Sequence, residues 1–79
     1  MLLVRYFAGA RAAAGIGEEK VTADTLDELV TILGTTHGES LARVLTAASF
    51  LVDGVAWHDG EAELPDGATV DVLPPFAGG

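Results

Sequence analysis

Apolar and polar positions along this 79-residue chain predict the order strand, strand, helix, strand, strand, strand. Leu2 to Phe7 is apolar apart from Arg5, the pattern of a strand near the middle of a sheet. Gly9 and Gly15 bracket Ala10 to Ala14, an alanine-rich stretch that suits one short helical turn. Glu18 to Ala23 reads as a second strand, entered through the turn-prone Gly15-Ile16-Gly17.

The clearest helix begins at Thr25. Glu28 follows three residues later, the spacing at which hydroxyl and carboxylate each satisfy a free backbone N–H. Leu26, Leu29, Val30 and Leu33 then recur at helical spacing and make one face apolar, with Gly34 or Gly38 as the stop. Leu41, Val44, Leu45 and Ala48 repeat that spacing over a shorter run, with Ser40 as the expected cap. Ser49 to Val52 and Val55 to Trp57 form two strands joined by Asp53-Gly54, a dipeptide favoured in tight hairpin turns. Asp59-Gly60 and Asp66-Gly67 mark further turns. Thr69 to Leu73 is the last strand, stopped by Pro74 and Pro75, which lack the N–H that pairing needs. The expected fold is α+β, a mixed sheet of about five strands against one main helix, over residues 1–75. Residues 76–79 are expected to form a flexible tail.

Composition narrows the chemistry. The absence of cysteine removes disulfides, thiolate metal sites and any thiol nucleophile. Four basic against twelve acidic side chains give a formal charge of −8, a surface that repels phosphate backbones, so no nucleic-acid partner is expected. No window reaches the apolar length of a membrane span, and Met1 to Arg5 carries its charge on the wrong side for a signal peptide. A cytoplasmic domain working with another protein is the expectation.

The usual constellations fail. Gly15-Ile16-Gly17 begins like a dinucleotide fingerprint, but Lys20 stands where the third glycine belongs. His37 and His58 lie on separate elements without converging ligands, so no metal site is expected and both read as surface residues. The carboxylates read as a solvated face. Ser40 and Ser49 lack any nucleophile-elbow context. Nothing points to an enzyme acting alone.

The chain ends in Gly78-Gly79, held off the last strand by two prolines. Small residues suit a frayed end. They also suit a tail that threads a narrow channel and presents its main-chain carboxylate at the far end, with Pro74-Pro75 lowering the entropy lost on docking.

Val4 to Ala8 followed by Arg11, Leu64 to Val70, and Leu73 to Gly79 together resemble the ubiquitin-like β-grasp sulfur carriers, most of all the small subunit of molybdopterin synthase. Members commonly carry an aromatic residue before the two prolines and an aliphatic one after them. Here Leu73 and Phe76 stand in those places, as if the aromatic had crossed the pair. The resemblance implies that a partner related to ubiquitin-activating enzymes adenylates Gly79 with ATP and magnesium. A sulfur donor protein then converts it to a thiocarboxylate. That sulfur attacks a pterin precursor in a pocket of the synthase's large subunit, in molybdenum cofactor biosynthesis. Gly79 carries the reacting group, Gly78 gives access, and the chain binds no cofactor and is consumed and recharged. Carriers for thiamine or cysteine synthesis, and a protein modifier joined through Gly79, share the fold and the Gly-Gly tail, while Pro74-Pro75 resembles the molybdopterin type more than the thiamine carriers.

Strand alternation turns Leu2, Val4, Tyr6, Val70, Val72, Phe50 and Val52 toward the helix and leaves Leu3, Arg5, Phe7, Leu51, Thr69, Asp71 and Leu73 on the other face. With the first and last strands parallel neighbours, as in a β-grasp sheet, Arg5 falls near Asp71. An exposed patch of Phe7, Leu51, Leu73 and Phe76 is then expected at the root of the tail, flanked by Pro74 and Pro75. Such a patch with a polar border marks a docking face. Arg11 is expected to pair with a partner carboxylate.

Overall fold

A computed structural model of the protein describes residues 1–75; the expected Phe76 contact and the Gly78-Gly79 terminus lie outside those residues. Five strands and three helices follow one another as β1 (Leu2–Tyr6), α1 (Ala8–Ala14), β2 (Glu18–Val21), α2 (Leu26–His37), α3 (Glu39–Ala47), β3 (Ser49–Val52), β4 (Val55–Ala56) and β5 (Thr69–Leu73). The strands form one mixed sheet in the order β2-β1-β5-β3-β4. The central pair β1 and β5 is parallel and every other pair antiparallel.

One face of the sheet carries the core. Leu2, Val4, Tyr6, Val52, Val70 and Val72 meet Leu26, Leu29 and Leu33 of α2 and Leu41 and Leu45 of α3, all buried. In a chain this short each large residue matters: truncating a fully buried leucine such as Leu29 or Leu33 to alanine removes about 2–5 kcal/mol.

The caps explain where the elements start and stop. Thr25 Oγ1 accepts the Glu28 N–H at 3.1 Å, as the spacing predicts. Glu28 reaches one residue further back than a reciprocal box, accepting from the Asp24 N–H at 2.6 Å. Of the two stop signals, Gly38 ends α2. Gly34 stays helical because it lies against α3, where an added Cβ would sit 3.4 Å from the Ala42 side chain. Gly38, at φ 96°, caps both α2 and α3, so the sharp turn leaves Ser40 inside the helix instead of at its cap. The alanine-rich turn is a seven-residue helix that begins at Ala8, because the Phe7 carbonyl already accepts from the N–H groups of Ala10 and Arg11. β2 stops at Val21, short of Ala23, where its pairing with β1 ends at Leu2, and the Met1 carbonyl accepts instead from the Gly67 N–H at 3.1 Å. β4 stops at Ala56. Trp57 still donates its N–H to Phe50, after which the chain leaves the sheet.

Asp53 (φ 49°) and Gly54 (φ 82°) are both left-handed, the signature of the mirror-image turn that fits strand twist. The turn is clasped to β5 twice: Asp53 N–H to the Thr69 carbonyl at 2.8 Å, and Thr69 N–H to Asp53 Oδ1 at 2.9 Å.

Candidate docking face and tail root

β5 is the middle strand and leads into the carboxyl terminus, so the residues beside its end surround the point where the tail leaves the fold. On the face away from the helices, one cross-strand row runs Ala56, Leu51, Asp71, Arg5, Glu18. At its centre Arg5 donates two bonds to Asp71, Nε to Oδ1 at 2.7 Å and Nη2 to Oδ2 at 2.9 Å. Those bonds and the Asp71 charge hold the guanidinium above its ordinary pKa. The arginine covers its partner: Asp71 lies on the open face as expected, yet is only 7% exposed. This corrects the reading of the carboxylates as a uniformly solvated surface.

Phe7 follows Arg5 on the same face, with the guanidinium carbon 5.7 Å from its ring centroid. Its N–H donates to the Val72 carbonyl at 3.2 Å, which ties it to the end of β5. The ring is 39% exposed and is therefore on the surface and not folded into the core. Leu73 opposes Ser49 in the ladder, and Leu51 opposes Asp71; both leucines are half-buried. The described part of the expected patch is thus Phe7, Leu51 and Leu73 on one face, with Pro74 half-buried and Pro75 exposed after it.

Arg11 is exposed on α1 and makes no ion pair among the described residues. Its guanidinium lies along Gly17, where an added Cβ would meet it at 3.4–3.6 Å. Arg5, Phe7, Arg11, Gly17 and Glu18 share one shallow cavity of about 550 Å3 beside the tail root. A guanidinium braced in this way, beside an exposed aromatic ring, suits the fork-like recognition of a carboxylate.

Two features escape the hydrophobic pattern. Ala8 adopts φ 49°, a conformation costly for a residue with a Cβ, at the junction that turns the chain from Phe7 into α1. Behind Phe7, Tyr6 donates from its hydroxyl to Glu19 Oε2 at 2.6 Å, and His37 Nε2 bonds the same oxygen. The His37 ring meets the Tyr6 ring edge-on at 5.9 Å, so His37 is a half-buried structural residue and not a surface one. Burial first, then the Glu19 bond and charge, push the Tyr6 phenol well above its ordinary value of 10.0. The signal was present in the sequence: a lone tyrosine at an inward strand position needs a partner for its hydroxyl.

Among the described residues no three or more His, Cys, Asp or Glu side chains converge on a metal-sized site, and no helix is long and apolar enough to cross a membrane. The functional geometry is a sheet face around the end of β5, the strand that leads toward the carboxyl terminus, the layout of a ubiquitin-like β-grasp fold. Residues 4–79 match the ThiS family, and the chain belongs to it, sharing the fold of the ubiquitin-like sulfur carriers. Solved structures agree. A chain of the complex of subunits 1 and 2 of molybdopterin-converting factor from Helicobacter pylori is 26% identical with a TM-score of 0.73, covering 99% of this chain and 97% of that one. The small archaeal modifier protein 1 of Methanosarcina acetivorans is 22% identical with a TM-score of 0.84, covering 99% and 95%. A chain of the BexX/CysO complex of Amycolatopsis orientalis is 22% identical with a TM-score of 0.77, covering both chains completely. No curated protein sequence matches the chain.

Proposed function

We propose that the protein is the sulfur-carrying small subunit of a molybdopterin synthase and that Gly79 is its reacting residue. The observation that carries this reading is the placement of Phe7, Leu51 and Leu73 around the end of β5, from which the Pro-Pro-Phe-Ala-Gly-Gly sequence departs. The 26% likeness to the converting-factor complex, spanning nearly all of both chains, supports this choice of pathway.

The chemistry follows from the carboxylate. A free carboxylate is a poor acyl donor. An adenylating partner of the ubiquitin-activating type lets a Gly79 oxygen attack the α-phosphorus of ATP, held with magnesium in that partner, and pyrophosphate leaves. A persulfide on a sulfur donor protein then attacks the acyl carbon and AMP leaves. A second thiol cleaves the resulting acyl disulfide, forming a disulfide with the donor cysteine and freeing a thiocarboxylate at the terminus. In the large subunit the thiocarboxylate sulfur attacks the pterin precursor. This chain supplies binding and delivery: Phe7, Leu51, Leu73 and, on the tail, Phe76 form the docking contact, and Arg11 meets a partner carboxylate. Pro74 and Pro75 stiffen the root, and Gly78 admits the terminus to a narrow channel.

The test is activation in vitro. With the cognate adenylating enzyme, the full chain supports ATP–pyrophosphate exchange and the chain lacking Gly79 does not. Amide adducts with lysines of other proteins, formed in place of a thiocarboxylate, would turn the reading to a protein modifier.

A further inference from the structure

The opposite side of the sheet holds a second apolar site. At the β4 edge, the start of α2, the end of α3 and the β3–β4 ladder enclose a groove of about 650 Å3. Its apolar lining includes Leu26, Val30, Leu45, Phe50 and Trp57, and Leu51 and Ala56 reach it at the sheet edge. Val30, Ala48, Phe50 and Trp57 are only half-buried, so apolar surface remains that no group within residues 1–75 covers.

The groove opens beside the root of the tail. Ser49 lines it and is the register partner of Leu73, the last residue of β5. Trp57 bonds Phe50, and Phe50 opposes Val72, so Trp57 lies two strand spacings, about 10 Å, from the end of β5. Three residues carry the chain from Leu73 to Phe76, a reach of ~10 Å. Of residues 76–79, Phe76 is the large apolar side chain, and two aromatic rings line the groove within its range. A ring that can meet Phe50 and Trp57 leaves water in doing so.

We propose that in the free protein Phe76 seats in its own chain's groove, against Trp57 and Phe50. The tail is thereby parked along the helix side until a partner takes it. The ring then leaves the groove and joins Phe7 and Leu73 on the other face, so a partner must bind the released tail better than the groove does. The parked position concerns the free chain and does not depend on the sulfur-carrier reading, whereas the transfer of the ring to the Phe7 face rests on that reading.

Trp57 is the only tryptophan, and its fluorescence therefore reports the groove without labelling. Emission and acrylamide quenching are compared for the full chain, Phe76→Ala, and the chain ending at Pro75. Both variants are expected to shift Trp57 emission to longer wavelength and to raise quenching to the same degree. Unchanged Trp57 signals in both would overturn the proposal. Side-chain NMR supplies the second readout: Phe76→Ala should move resonances of Trp57 and Phe50. Movement confined to Phe7 places the ring on the opposite face and defeats it. The full-chain signal should also be independent of concentration. A signal lost on dilution assigns the groove to the tail of a second copy and contradicts the parked form.

Discussion

Arg5 and Asp71 face each other across the parallel pair β1 and β5, joined by two hydrogen bonds of 2.7 and 2.9 Å. The pair links the first strand to the strand that carries the tail, and the guanidinium also lies over Phe7. One interaction therefore holds the end of β5 and fixes the ring expected to meet the partner.

Removing one member of this pair leaves the other without its partner on a largely covered carboxylate. Arg5→Ala is expected to lower the melting temperature more than Arg43→Ala, which breaks an exposed pair with Glu39 on α3. A double-mutant cycle with Asp71→Ala should show coupling. Strict additivity of the two single effects would contradict the assignment.

Phe7→Asp is expected to weaken partner binding at least tenfold, about 1.4 kcal/mol or more, while the isolated domain keeps its cooperative melt. The ring is 39% exposed and lies outside the buried core, so the fold is expected to survive the change. Calorimetry against the partner and a thermal scan of the variant alone separate the two effects. Loss of the fold would place Phe7 among the core residues.

Ala8 at φ 49° is strained, and glycine is not. Ala8→Gly is expected to raise stability by about 0.5–1 kcal/mol, the relief of strain exceeding the added freedom of the unfolded chain. Urea titration measures it. A destabilised Ala8→Gly chain would show that the residue's cost in the unfolded state outweighs the strain.

The Tyr6 phenol predicts the behaviour in alkali. Its pKa in the folded chain lies above the ordinary 10.0 because burial and the Glu19 bond favour the neutral form. That contribution to stability is complete below pH 10.0 and is lost as the pH rises toward the folded value, since the unfolded chain releases the proton first. As Tyr6 is the only tyrosine, its phenolate absorbance should appear only together with loss of the folded circular dichroism signal. Ionisation near pH 10 in a chain that stays folded would contradict the buried hydrogen bond.

The alternation at Leu2, Val4, Tyr6 and at Val70, Val72 made the sheet faces legible in sequence, and with the β-grasp order it located Arg5 opposite Asp71. Asp53-Gly54 and Thr25 were equally readable, because turn and cap chemistry is local. The link between α2 and α3 was not, since Ser40 is a good cap by type and only the packing of Gly34 on Ala42 forces the turn to Gly38. The burial of Asp71 and His37 was hidden for a related reason. Each is covered by a residue far away in sequence, Arg5 in one case and Tyr6 with Glu19 in the other. Local pattern finds the elements; long-range partners decide which polar groups end up inside.

The most direct test of the central claim is the intact mass of the protein, purified without a carboxyl-terminal tag from sulfur-replete cells. The account predicts a species in which one oxygen of Gly79 is replaced by sulfur, and its loss when Gly79 is deleted. Only unmodified chain, even after incubation with the cell's activating enzyme, ATP and a sulfur donor, would contradict it.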